Sequence, residues 1–114
     1  MSIIEKKSKA FALRIIRLYK YLSEEKKEFV MSKQILRAGT SIGANVKESA
    51  GAQSKADFVA KMHISLKEAE ETEYWLELLH ESGYIEKEPF ENIYADNKEL
   101  LKLLTAIIKK TKNS

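Results

Sequence analysis

Residues 36–54, LRAGTSIGANVKESAGAQS, hold three of the chain's four glycines within thirteen positions, and Ala, Ser and Thr fill most of the gaps. The periodicity around them is helical. With successive residues set 100° apart, Ile35, Ala38, Gly39, Ile42, Val46 and Ser49 share one face. Each interior glycine costs a helix about 1 kcal/mol relative to alanine, and close approach of a second backbone is the simplest compensation. A phosphate-cradling loop would instead place its glycines between a strand and a helix, in a G-x-G-x-x-G or G-x-x-x-x-G-K-S/T pattern, and neither is present. Gly39 and Gly43 are therefore read as packing positions. Their expected partner is the unusually small middle of a later helix, at Ser65, Ala69 and Thr72. Gly51, between Ala50 and Ala52, is expected to make a turn.

The rest of the chain repeats the helical period. Ile4, Phe11, Ile15, Leu18, Tyr19 and Leu22 fall in one arc of a first helix over residues 4–22, with Ser2 and Glu5 spaced as a capping box. The spacing predicts a second helix from an N-cap at Ser32 to about Ser49, with Val30 or Leu36 as a hydrophobic staple. Ser54 and Asp57 open a long third helix, carrying Phe58, Met62, Ser65, Ala69, Thr72, Leu76 and Leu79 on one face and ending at Gly83. Pro89 suits the first turn of a fourth, in which Phe90, Ile93, Leu100, Leu101, Leu104, Ile107 and Ile108 recur. Four helices on short links predict an all-α, antiparallel up-down-up-down four-helix bundle forming one domain over residues 1–114.

Charge is segregated along the chain. Residues 1–47 carry eleven Lys/Arg against four Glu, residues 48–99 carry five against thirteen acids, and residues 100–114 carry four Lys and no acid. Blocks of this kind act on nucleic acid, on an acidic partner or on a neighbouring copy of the chain. On the first helix Lys6, Lys9, Arg14, Arg17 and Lys20 lie opposite the apolar arc, with Leu13 the one large apolar intruder. On the second helix Lys33, Arg37 and Lys47 form another basic stripe. These eight residues are the candidate nucleic-acid contacts, against the plainer reading of a solvated face. Only Tyr21 interleaves with them, which argues against base stacking on single strands. Ile64, Trp75 and Leu78 make a second apolar strip on the third helix beside Lys67, Glu68 and Glu71. With Leu13, these are the candidate self-association residues, unless Trp75 simply widens the core.

Chemistry-bearing constellations are sparse. Glu77 and His80 give one Glu-x-x-His pair of the kind that builds di-metal sites in bundles, but the only other histidine, His63, has Ala60 three residues before it. With no cysteine and no G-x-S-x-G, there is no nucleophile and base pair for hydrolysis. Asn45 and Ser41 are expected to bond backbone or a neighbouring helix. No metal, cofactor, catalytic residue or small-molecule substrate is expected. The apolar face of the first helix is needed inside the bundle and no apolar run approaches the ~20 residues of a membrane span, so membrane binding is not expected either. With no cysteine, and with MSIIEKKSKAF lacking the uninterrupted apolar core of a signal peptide, the chain is expected in the cytoplasm.

Gly39-Thr40-Ser41-Ile42-Gly43-Ala44-Asn45-Val46 with Glu48, followed by Ser54, Asp57, Phe58, Lys61 and Ile64, carries a resemblance. It continues through Lys67, Glu68, Ala69, Glu71, Tyr74, Trp75, Leu76, Leu78 and Leu79. This pattern is similar to that of the bacterial four-helix-bundle family encoded by intervening sequences in 23S ribosomal RNA genes, also called S23 ribosomal proteins. A related branch is the accessory protein of diversity-generating retroelements. The resemblance covers most of the chain and is most specific in its middle. It implies an antiparallel four-helix bundle, a homopentameric barrel with a basic surface and no enzymatic activity, and in the retroelement branch binding to reverse transcriptase and nucleic acid. One departure stands out: where many members have Gly and then Arg-Arg in the turn, this chain has Ser49 and then Ala52-Gln53. Residues and resemblance together lead to the expectation of a non-enzymatic oligomer whose first two helices contact RNA or a nucleic-acid-bound protein. The alternative is a homo-oligomeric protein scaffold that binds no nucleic acid.

Overall fold

In a computed structural model spanning residues 1–114, the chain forms α1 (Ile3–Glu24), α2 (Met31–Ser49), α3 (Lys55–Glu81) and α4 (Lys87–Lys112) and no strand. Local signals explain most of the boundaries. The Ser2 hydroxyl accepts the Glu5 N–H while the Glu5 carboxylate accepts the Ser2 N–H, a closed capping box on α1. Ser54 caps α3 by accepting the Asp57 N–H at 3.0 Å. Gly83, at φ +88°, ends α3 in a Schellman motif, with the Tyr84 N–H on the Leu79 carbonyl and the Gly83 N–H on that of His80. Pro89 lies in the first turn of α4.

The start of α2 corrects the sequence expectation. Ser32 lies inside the helix, and its hydroxyl donates to the Glu28 carbonyl at 2.7 Å. The cap comes from the Glu28 carboxylate, which accepts the N–H groups of Val30, Met31 and Ser32 at 2.7–3.1 Å. Lys27, at φ +55°, turns the chain so that Glu28 can reach back onto this helix start. Burial of Glu28 pushes its pKa up, but the backbone donors of Met31, Ser32 and Val30 outweigh this and hold the carboxyl below its usual value.

The helices pack in sequence order, with α4 closing back onto α1. Every neighbouring pair is antiparallel: Gly39 lies against Ile15 and Gly43 against Ser8, Glu48 pairs with Lys61 and Arg37 with Glu68, and Lys7 meets Glu99 while Arg14 meets Asp96. The result is a rod of 46 × 21 × 20 Å with one continuous apolar core drawn from all four helices, including Phe11, Ile15, Ile35, Ile42, Leu76 and Leu104. None of its helices is long and apolar enough to cross a membrane.

The two interior glycines serve close packing, but against a different helix from the one expected. A Cβ on Gly39 would lie 2.6 Å from Ile15 Cγ1 and one on Gly43 3.3 Å from the Ser8 carbonyl oxygen, so both face α1. The small residues of α3 sit elsewhere. The Ser65 hydroxyl donates to the Ile42 carbonyl of α2 at 2.9 Å, the Ala69 carbonyl accepts from Asn97 of α4, and Thr72 bonds back to Glu68 of its own helix. The physical reason is that α2 has α1 on one side of its buried face and α3 on the other, and its glycines lean to the α1 side.

Candidate functional site

Close packing of α1 on α2 leaves their outward charges without partners across the seam, because no ion pair links the two helices. Lys6, Lys9, Arg17 and Lys20 on α1 and Lys33 and Lys47 on α2 are exposed and make no ion pair at all. A shallow trough of about 420 Å³ runs between the helices, lined by Ala12, Thr40, Gly43 and Ala44, with Lys9 and Lys47 at its edges. Glu5, the one acid in this trough, is held by Ser2, whose hydrogen bonds lower its pKa.

The other two members of the stripes are committed inside the bundle. Arg14 reaches across to α4, where it pairs with Asp96 and donates to the Asn92 side chain at 2.8 Å. Arg37 is held by Glu68 at 3.0 Å and by Glu71, both on α3. The stripes are thus interrupted where a long guanidinium side chain finds a neighbouring helix. Ser41 and Asn45 bond the carbonyls of Arg37 and Ser41 on their own helix.

The self-association candidates divide in the same way. Leu13 is 50% exposed, Ile64 is 46% exposed, Lys67 is exposed and Leu78 is half-buried on the outer side of α3. Trp75 packs against the core, and its Nε1–H donates to Glu71 at 2.9 Å. Glu68 and Glu71 are occupied by Arg37, so they brace α3 against α2. Tyr74, 55% exposed and edge-on to Trp75, belongs to this face and was not singled out from the sequence. Its signal was available: it lies ten residues beyond Ile64 and four before Leu78, on the same outward arc.

Elsewhere the polar side chains serve structure. His80 Nδ1 lies 2.8 Å from the Ile85 carbonyl and its ring stacks on Phe90, while Glu77 accepts the Tyr94 hydroxyl at 2.6 Å. That hydrogen bond, with burial and the nearby Glu73, keeps the Tyr94 phenol protonated well above its usual range. Glu77 and His80 are therefore turned to α4 and the loop before it, and no three acidic or histidine side chains converge to hold a metal.

The sequence pattern of the 23S rRNA-intervening sequence protein family matches residues 2–106. The chain is also similar, at 60% identity and a TM-score of 0.93, to a crystal structure of a protein of unknown function from the S23 ribosomal protein family of Bacteroides thetaiotaomicron VPI-5482. That match covers 94% of this chain and 99% of the other. No curated protein matches the chain.

Proposed function

This chain belongs to the 23S rRNA-intervening sequence protein family, and from that premise we propose that it is a non-enzymatic, self-associating bundle of the cytoplasm whose α1–α2 face holds RNA by its phosphates. One observation carries the reading: five cations on that face, Lys6, Lys9, Lys20, Lys33 and Lys47, make no ion pair within the bundle, while Arg17 turns towards α4 and the acids of α3 and α4 that lie near cations are paired. Ammonium and guanidinium groups that are not neutralised internally are the ones that can release counterions from a phosphate backbone. The small residues of the trough, Ala12, Thr40 and Ala44, let a strand approach without a steric wall. A protein already bound to RNA would meet the same positive field.

Self-association supplies what one copy lacks. Several copies of a modest patch on one assembly raise overall affinity through effective concentration, with no new contact per subunit. The apolar outer face of α3, at Ile64, Tyr74 and Leu78, and the exposed Leu13 of α1 are the surfaces we assign to contact between copies, in the homopentamer that the family resemblance implies. The acidic block of α3 and the basic block of α1 give that contact complementary charge.

Salt tests the RNA reading. Binding of a fluorescein-labelled, mixed-sequence RNA oligonucleotide should weaken steeply as salt rises, with a log–log slope of about −3 if four phosphates are contacted. Lys9→Glu with Lys20→Glu reverses two unpaired charges, leaves Arg14 and Arg37 in their ion pairs, and should abolish binding. No affinity at low salt, or affinity untouched by that change, would leave the protein scaffold as the sole role. For the contact between copies, Ile64→Asp with Leu78→Asp should lower the mass measured by light scattering; an unaltered mass removes this face from the interface.

A further inference from the structure

The lysines in the last turns of α4, Lys109, Lys110 and Lys112, take no part in the α1–α2 face, yet the antiparallel course of the helices gathers them with other cations at one end of the rod. α1 begins there, α2 ends, α3 begins and α4 ends, and Ile4, Val46, Phe58 and Ile107 line one pocket with walls from all four helices. Each carboxylate side chain in this region is already engaged. Glu5 caps α1, Glu48 pairs with Lys61, Asp57 accepts the Gln53 N–H at the start of α3, and Glu99 pairs with Lys7. Lys102, Lys109, Lys110 and Lys112 make no ion pair. Lys55, at the same end, donates to the Ser114 main-chain oxygen, and the end holds more lysines than its side-chain carboxylates pair.

Two of these lysines converge with other donors. A groove of about 280 Å³ between α3 and α4 is lined by Lys109, Lys112, His63, Thr105 and Asn113, with Leu66 and Ile108 as its apolar lining. Two ammonium groups, an imidazole and a carboxamide can donate hydrogen bonds, the Thr105 hydroxyl being taken by the Leu101 carbonyl at 2.8 Å, and none of the five carries negative charge at neutral pH. Cations in a last turn also complement the helix dipole, but the dipole amounts to only about half a charge. Lys109, Lys110 and Lys112 exceed that need several-fold.

We propose that this α3–α4 groove is a second seat for RNA backbone phosphate, reached when a strand held on α1–α2 continues around the basic end. The class of ligand rests on the RNA-binding reading above; the residues do not. Lysines set three apart on a helix point to one side of it, and His63 faces them from α3, which gives a phosphate donors from two directions.

The chain's two histidines provide the test, since one lines the groove and the other does not. His80 lies towards the opposite end, packed on Phe90 and bonded to the Ile85 carbonyl, and acts as an internal reference for the fold. During NMR titration of the full chain with the same mixed-sequence RNA, the imidazole Hε1 signal of His63 should move and broaden while that of His80 stays fixed. Lys109→Gln with Lys112→Gln should remove the His63 response, leave the His80 signal in place, and flatten the log–log salt slope by about 1.4 for two lost contacts on a single strand. Lys109→Arg with Lys112→Arg should keep both. The proposal is overturned if His63 is unmoved at saturating RNA, or if the Gln pair leaves the salt slope unchanged. It is also overturned if poly-glutamate moves His63 as strongly as RNA does, since the seat would then not be one for phosphate. If the Lys9→Glu, Lys20→Glu pair abolishes binding while the Gln pair keeps both the His63 response and the full salt slope, this groove is removed and the α1–α2 face kept; RNA that still binds the Glu pair and still moves His63 removes the face and keeps the groove.

Discussion

The seam between α1 and α2 and the seam between α1 and α4 share a helix and are built on opposite principles. Against α2, α1 meets glycines at short range with Ile15 and Ser8, and no ion pair crosses. Against α4, it is held at its rim by Lys7 to Glu99 and by Arg14 to Asp96 and Asn92, and a groove of about 470 Å³ opens where Arg17 and Tyr21 face Ile85, Pro89 and Ile93. The contrast explains where free charge resides. A seam closed by backbone proximity leaves its bordering lysines, Lys9 and Lys47, to the solvent, whereas the seam bridged by long polar side chains takes up Lys7 and Arg14 and leaves Arg17 unpaired.

The sharpest way to break this contrast is to fill the α1–α2 seam. Gly39→Ala adds a methyl 2.6 Å from Ile15 Cγ1 and 2.9 Å from its Cγ2, and Ile15 is fully buried. The overpacking of about 1–3 kcal/mol should exceed the ~1 kcal/mol gained in helix propensity, for a net loss of up to about 2 kcal/mol in urea unfolding. Gly43→Ala, whose methyl would meet the Ser8 carbonyl oxygen at 3.3 Å, should come out within about 1 kcal/mol of neutral because strain and propensity nearly cancel. A double-mutant cycle of Gly39→Ala with Ile15→Ala should show coupling that relieves the loss. Additive effects in that cycle would mean that the glycine is not there for Ile15.

Next in size is the device that starts α2 beside α1. Glu28→Gln keeps the side-chain length but removes the charge that accepts three backbone N–H groups, and should cost about 1–2 kcal/mol at neutral pH. The sign with pH follows from the lowered pKa. A carboxyl whose folded pKa lies below its unfolded value of 4.5 contributes stability in full above that value, and loses it as pH falls through the folded pKa. The gap between wild type and Glu28→Gln in urea midpoints should therefore narrow below about pH 4.5. A gap that widens on acidification would mean that burial, not the N–H groups, governs Glu28.

These two devices differ in how far they could be read in advance. Capping signals such as Ser2 with Glu5, Ser54 with Asp57, and Gly83 act over a few residues and were legible, as was the face on which the glycines lie. Which helix meets that face was not, because a helical wheel gives direction without naming the neighbour. Glu28 was hidden because its carboxylate reaches α2 only through the left-handed turn at Lys27, which no local preference of lysine foretells. The basic stripes were legible as stripes, but the loss of Arg14 to Asp96 and of Arg37 to Glu68 depends on tertiary distance. The α4 lysines were visible as a charge block, and only the antiparallel course brings Lys109 and Lys112 beside His63.

The smallest expected effect lies in the α1–α4 seam, and it tests the other half of the contrast. Arg14 is 30% exposed and Asp96 45% exposed, so water screens their attraction, and ordering a long side chain offsets much of what remains. Arg14→Gln should thus cost no more than about 1 kcal/mol, and raising the salt should shrink the loss further because exposed pairs are screened over about 8–10 Å. Thermal unfolding of wild type and variant at low and high salt measures both quantities. A loss above 2 kcal/mol that ignores salt would mean that Arg14 behaves as a buried anchor, and the rule that polar seams are weak and close-packed seams strong would not hold here. A small, salt-sensitive loss beside a large, salt-insensitive one for Gly39→Ala would instead assign the stability of α1 to its contact with α2. The outward lysines of that pair would then be dispensable to folding, a condition that a surface reserved for a polyanion must meet.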